Sequence, residues 1–168
     1  MPESHQNHLS QLLLAALVLG FVTIAGAWFF ELVIGLAPCP MCLTQRWPYY
    51  IGLPILAVGL IMIKSTNINI ARISALATAL LFLGGAIFAA YHSGVEWHFW
   101  TGPADCSGGE DLSASVGNLL ADLKTAKVVS CVDAAWRLFG ISLAGYNVII
   151  SAAISALCFI AFARLKKA

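Results

Sequence analysis

The sequence predicts an all-α membrane protein, a four-helix bundle with a short amphipathic helix in the second of two outer loops. Three observations predict it. Of the 168 residues, 60% are hydrophobic and 10% charged, against roughly 25% charged in soluble domains, so part of the solvent must be lipid. The apolar residues gather in four stretches, about 9–30, 43–63, 73–91 and 141–163, each at or near the roughly 20 residues that carry a helix across the hydrocarbon core. The long connection at about 92–140 contains one segment with helical hydrophobic spacing, 112–123. The length fits one integral membrane domain over 1–168.

The first stretch carries no charge. Ala25, Gly26 and Ala27 look like a signal-peptide cleavage site, but no Lys or Arg precedes the stretch and its apolar run is longer than a signal core, so it is expected to stay in the protein. The second stretch is short from Trp47 onward, and its helix is expected to begin earlier, near Met41. The third has no charge, and the fourth closes the bundle. Small residues, Gly52 with Gly59 and Ala75 with Ala79, would let the helices approach closely. Each helix satisfies its own backbone polar groups, as a lipid environment demands.

Basic residues set the orientation. Lys64 and Arg72 flank the connection between the second and third stretches, and Arg164, Lys166 and Lys167 close the chain, so these regions and both termini are expected on the cytoplasmic side. Glu31, Glu96, Asp105, Glu110, Asp111, Asp122 and Asp133 then fall on the outer side, in or beside loops at about 31–42 and 92–140. All five tryptophans also lie near the outer side, where they can form an interfacial belt or wall a pocket for a flat ligand. A net charge of +1 leaves no basic face for nucleic acid.

Five cysteines is an odd number, so one stays outside any intramolecular pair. Cys158 lies in the fourth stretch and reads as a packing residue. Cys39 and Cys42 fall in the first outer loop, Cys106 and Cys131 in the second, the side on which disulfides persist in a bacterial-type inner membrane. Pro40 suits the first position of a helix, which puts Cys39 at the N-cap, where the helix dipole favours a thiolate. Arg46, four residues after Cys42, shares its helix face and could favour a thiolate or a developing oxyanion, or simply snorkel to the interface. Pro48 is positioned to kink this helix.

Covalent haem attachment needs His after the second cysteine, and Leu43 stands there. Structural zinc favours two tight cysteine pairs, whereas Cys106 and Cys131 are 25 residues apart. No metal is therefore expected. Redox use and two static structural disulfides both remain open on spacing alone, although a membrane bundle of this size has little need of staples. In 112–123, Leu112, Val116, Leu119, Leu120 and Leu123 share one helical face, suited to the membrane interface or to packing on the bundle. The flanking "TGPADCSGGED" is rich in turn formers, so Cys106 is expected on a flexible segment.

Four apolar stretches, an outer C-x-x-C leading into the second, Arg46 four residues on, and a spaced cysteine pair in the second outer loop together resemble the DsbB family of bacterial inner-membrane disulfide bond formation proteins. The run "CVDAAWRLFGISLAGYN" at 131–147 is also similar to that family's approach to its last span. The resemblance covers essentially the whole chain. It implies a protein-dithiol:quinone oxidoreductase of the inner membrane. Cys106–Cys131 would oxidise a periplasmic thioredoxin-like DsbA-type carrier, Cys39–Cys42 would reoxidise that pair, and a membrane quinone (ubiquinone or menaquinone) would take the electrons. The same resemblance implies that Arg46 and His92 contact the quinone; His98 and Glu96 lie nearby as alternatives to His92 as proton donors. Two other readings compete: a quinone-linked thiol enzyme of the vitamin K epoxide reductase type, whose C-x-x-C lies late in the bundle, and a non-catalytic membrane protein with two structural disulfides.

Overall fold

In a computed structural model of the chain, the described residues are 3–63, 65, 67–103 and 130–165. Cys106 and the segment 112–123 lie outside them. The described part is essentially all-α: α1 Glu3–Leu32, α2 Pro40–Thr44, α3 Trp47–Met62, α4 Ile68–Glu96 and α5 Leu143–Leu165, with a minimal hairpin of β1 Arg137–Leu138 and β2 Ile141–Ser142 before α5.

α1, α4 and α5 contain segments long and apolar enough to cross a membrane, Gln6–Leu32, Ile68–Glu96 and Leu143–Leu165. α3 has 16 residues, about 24 Å at 1.5 Å per residue, and the short α2 precedes it. The break between α2 and α3 falls at Gln45 and Arg46 because Pro48 lacks an N–H and its ring would meet the Thr44 carbonyl in an uninterrupted helix. Pro48 instead occupies the first turn of α3, where no donor is needed.

α1 ends as Val33 and Ile34 bond back to the Phe29 carbonyl, and Gly35 adopts the left-handed conformation (φ 77°) that redirects the chain toward α2. In the hairpin, Arg137 pairs with Ser142 and Leu138 with Ile141. Its two turn residues, Phe139 and Gly140, have φ of 49° and 82°, the sign required at both positions of a tight two-residue turn. Ser142 then caps α5 by accepting the Gly145 N–H at 3.1 Å.

The core runs along the inner faces of these helices: Leu9, Leu13 and Ala16 on α1; Tyr49 and Leu56 on α3; Ala71, Ala75, Ala79 and Phe82 on α4; Ile154, Cys158 and Ala161 on α5. Small residues on α4 let α5 come close enough for the Ser155 hydroxyl to donate to the Ala79 carbonyl at 2.8 Å. The outward surface is also apolar, with Phe21, Ile61, Ile73, Ile87 and Ile149 exposed. That pattern belongs to a multi-pass membrane protein, in which lipid covers the outer surface. A Cβ at Gly59 would lie 2.9 Å from the Ser74 Cβ, so Gly59→Leu should force α3 and α4 apart. We expect a loss of about 1–3 kcal/mol, read as a lower melting temperature in detergent.

Candidate functional site

The end of the bundle that carries the C-x-x-C brings the chemistry-bearing side chains together. Cys39 is the N-cap of α2, with extended backbone (φ −74°, ψ 163°), and Pro40 is the first helical residue. The Cys42 N–H donates to the Cys39 sulfur at 3.1 Å. Cys39 and Cys42 form a disulfide with Cα atoms 5.0 Å apart. Both inner neighbours of this disulfide are buried: Met41, and Cys131 from the second outer loop. Cys131 is itself disulfide-bonded.

Arg46 does not snorkel. Its side chain is 10% exposed and its Nη1 lies 2.5 Å from Glu31 Oε2. Its guanidinium also stands 5.2 Å from the centre of the Trp28 ring. Trp28 and Glu31 are three residues apart on α1, so one face of that helix grips the cation from two sides. The sequence reading had singled out neither partner for this purpose.

His92 is buried within α4, which continues beyond residue 91 as far as Glu96. The added turn is held by buried polar contacts that a hydropathy profile does not register. His92 Nε2 lies 3.7 Å from the Cys39 sulfur, and the ring hydrogen-bonds the backbone of Cys131. Its Nδ1 is 2.6 Å from the Gln45 amide nitrogen, and Gln45 is joined to Asn147 at 2.6 Å. Tyr49 donates to Asn147 in turn. Gln45, Tyr49 and Asn147 were missed by sequence reasoning. The available signal was a lone Asn inside an apolar stretch, since a polar residue in a span has to find a partner.

His98 is exposed, in the turn after α4. Cys39, Cys42 and His92 place three ligand-type atoms within 4.8 Å of one another, but two of those atoms are joined in the disulfide, and the thiolate is the metal-binding form. Cys158 is fully buried and free, far along α5 from these groups.

A cavity of about 270 Å³ opens beside the disulfide. Val22, Ala27, Phe30, Leu36, Leu143 and Ile150 supply apolar wall, whereas Cys42, Gln45, Arg46, Tyr49, His92 and Asn147 supply the polar groups. Cys39 lines a second, smaller chamber of about 30 Å³ instead, together with Cys42, His92, Glu96, Ser130 and Asp133. The two sulfurs are thus unequal: Cys42 reaches the large cavity, and Cys39 faces the second outer loop. An apolar slot with a few convergent polar groups is suited to a flat, largely apolar molecule whose polar atoms meet the cation and the imidazole.

Comparison with known proteins points to one family. The family described as "Disulfide bond formation protein DsbB" matches residues 9–161. A disulfide bond formation protein B of Polaromonas naphthalenivorans (strain CJ2) is 29% identical over 161 residues, covering 92% of each chain. Another of that description, from Verminephrobacter eiseniae (strain EF01-2), is 31% identical over 140 residues, 81% of this chain and 76% of its own. An uncharacterized protein of Rickettsia prowazekii (strain Madrid E) is 24% identical over 140 residues, 82% of this chain and 78% of its own. No solved structure matches.

Proposed function

The chain belongs to the DsbB family of disulfide bond formation proteins, and from that premise we propose that it is a protein-dithiol:quinone oxidoreductase that reoxidises a periplasmic DsbA-type carrier. The observation that carries the reading is the placing of Cys42, Arg46 and His92 on the walls of one apolar cavity, with Cys39 turned toward Cys131.

The proposed sequence begins when a carrier thiolate attacks Cys106 of a Cys106–Cys131 disulfide and releases Cys131 as a thiolate. Exchange proceeds through such mixed disulfides. Cys131 then attacks Cys39, the N-cap sulfur on its side, and Cys42 leaves as the thiolate in the cavity wall. Closure of the carrier's own disulfide and return of Cys106 to Cys131 free Cys39 again. Two carrier S–H bonds are lost, one carrier S–S bond forms, and two electrons rest on the Cys39 and Cys42 sulfurs. A ubiquinone or menaquinone bound in the cavity would supply the acceptor for that pair as Cys39–Cys42 re-forms. Arg46 is suited to donate to one of its oxygens and to stabilise charge developing there. His92 stands at the same wall, and Phe30 and Leu36 add apolar lining. With both termini cytoplasmic, this end of the bundle would face the periplasm, the orientation that the distribution of Lys and Arg favours.

The test is purified protein mixed with a reduced DsbA-type carrier and a soluble quinone, following quinone absorbance and trapping thiols by alkylation. We expect stoichiometric carrier oxidation and quinone reduction. Cysteines that stay oxidised while the carrier stays reduced would leave a non-catalytic protein with structural disulfides.

Cys158 supplies a control. It is fully buried in the hydrophobic core of the bundle and lines neither cavity. Cys158→Ala should keep full turnover and lose about 1 kcal/mol of stability from the small void. A well-folded, inactive Cys158→Ala protein would contradict this division of the cysteines.

A further inference from the structure

We propose that Glu96 is the proton-entry residue of the quinone cavity, acting through His92; the inference rests on the quinone reading above. Thiol–disulfide exchange runs through thiolates, so the carrier's protons are shed in the outer loops. Reduction of a quinone to hydroquinone takes up two protons together with the two electrons, and it takes them up inside an apolar cavity. A route for protons into that cavity is therefore required.

The structure offers one continuous line of groups. Asp133 is exposed on the outer side and lines the small chamber. The chamber, at about 30 Å³, exceeds the roughly 10–15 Å³ that one water needs, and its polar lining gives a water several partners. Glu96 lines the same chamber but not the large cavity, and its side chain is 7% exposed. Its Oε1 lies 3.9 Å from His92 Nε2, one helical turn away. His92 lines both cavities, as does Cys42.

Glu96 is held in this place from β1 and β2. The Ser142 hydroxyl donates to its Oε2. The Arg137 guanidinium donates to its main-chain carbonyl at 3.1 Å and rests over the Trp97 ring. The hairpin is thus a clamp on the last turn of α4, and it leaves Oε1 free to face His92. Gln45 completes the arrangement on the far side of the ring. Its amide nitrogen faces Nδ1 while its carbonyl accepts from Asn147, so turning the Gln45 and Asn147 amides together presents a carbonyl to a protonated Nδ1 and leaves Nε2 bare. In the proposed transfer, run once for each of the two protons and with the ring in the tautomer whose Nε2 is bare, the Glu96 carboxyl gives its proton to Nε2, the imidazolium gives a proton to a quinone oxygen as the Cys39–Cys42 disulfide closes, and Glu96 is reloaded from water at the Asp133 side.

Glu96→Gln keeps the size and the Ser142 contact but cannot carry the proton. We expect kcat for quinone reduction to fall by about a hundredfold, at the lower end of general acid–base effects, with KM for quinone unchanged and a larger solvent deuterium isotope effect. Glu96→Asp should recover part of the rate. Two further readouts must stay at the unsubstituted level: quinone binding measured by tryptophan fluorescence quenching, and formation of the carrier mixed disulfide in quinone-free protein. An unchanged kcat in Glu96→Gln would overturn the proposal, and so would equal losses in quinone binding and adduct formation, which would make Glu96 a structural residue. Failure of the unsubstituted protein to reduce quinone while still forming the carrier adduct would instead overturn the quinone reading itself.

Discussion

Cys131→Ala is expected to stop turnover and to leave the carrier trapped on Cys106. Without Cys131 the second outer pair cannot close, yet the Cys106 thiolate can still attack the disulfide of an oxidised carrier and form a mixed disulfide with it. What is lost is the thiolate that passes the electrons inward. Cys131 is 1% exposed and packs with Cys39 and Met41, and its backbone is bonded to the His92 ring. A soluble carrier has no approach to a sulfur so enclosed, whereas Cys39 is its immediate neighbour. The adduct should therefore persist, because no other sulfur is placed to resolve it from the protein side. Mass spectrometry of the alkylated complex reads the attachment site directly. An adduct on Cys39 or Cys42 would mean that the C-x-x-C meets the carrier itself, and the proposed direction of electron flow would have to be reversed.

Local features of this site were legible in the sequence, and contacts between distant segments were not. Pro40 after Cys39 was enough to place the N-cap, because a residue without an N–H and with a fixed φ fits the first helical position whatever the rest of the fold does. The i,i+4 relation of Cys42 and Arg46 predicted a shared face, yet α2 stops between them, and the guanidinium is placed by α1 instead. Glu31 is 15 residues earlier in the chain than its partner, and no periodicity connects the two. Hydropathy ended the third stretch at Tyr91 because His92, Ser93 and Glu96 read as polar. In the folded chain His92 and Glu96 are buried through Gln45 and Ser142, contacts that exist only once α2 and the hairpin are packed against α4. Asn147 was hidden for the opposite reason: one amide hardly lowers the hydropathy of α5, although it ties Gln45 to Tyr49.

The second large effect is expected at Arg46. Arg46→Ala should raise KM for quinone while the protein stays folded and inserted. The guanidinium is the cation in the cavity wall, and one lost oxyanion donor costs about 2.7–4 kcal/mol where charge develops in a water-poor site. Part of that effect is already offset here, since Glu31 neutralises one edge of the group. We therefore expect KM to rise about tenfold to a hundredfold and kcat to fall less. The substitution also strands Glu31, whose carboxylate loses its ion-pair partner beside the cavity wall. Arg46→Ala combined with Glu31→Gln separates the two causes: if the double variant keeps the raised KM, the loss belongs to the missing cation and not to an unpaired anion repelling the quinone oxygen. Arg46→Lys should not restore the site, because an ammonium is a point charge that cannot bond Glu31 with one edge, stack on Trp28 with its face and still present a donor to the cavity. Unchanged quinone kinetics in Arg46→Ala, with melting temperature and insertion intact, would reduce Arg46 to a tie between α1 and the start of α3.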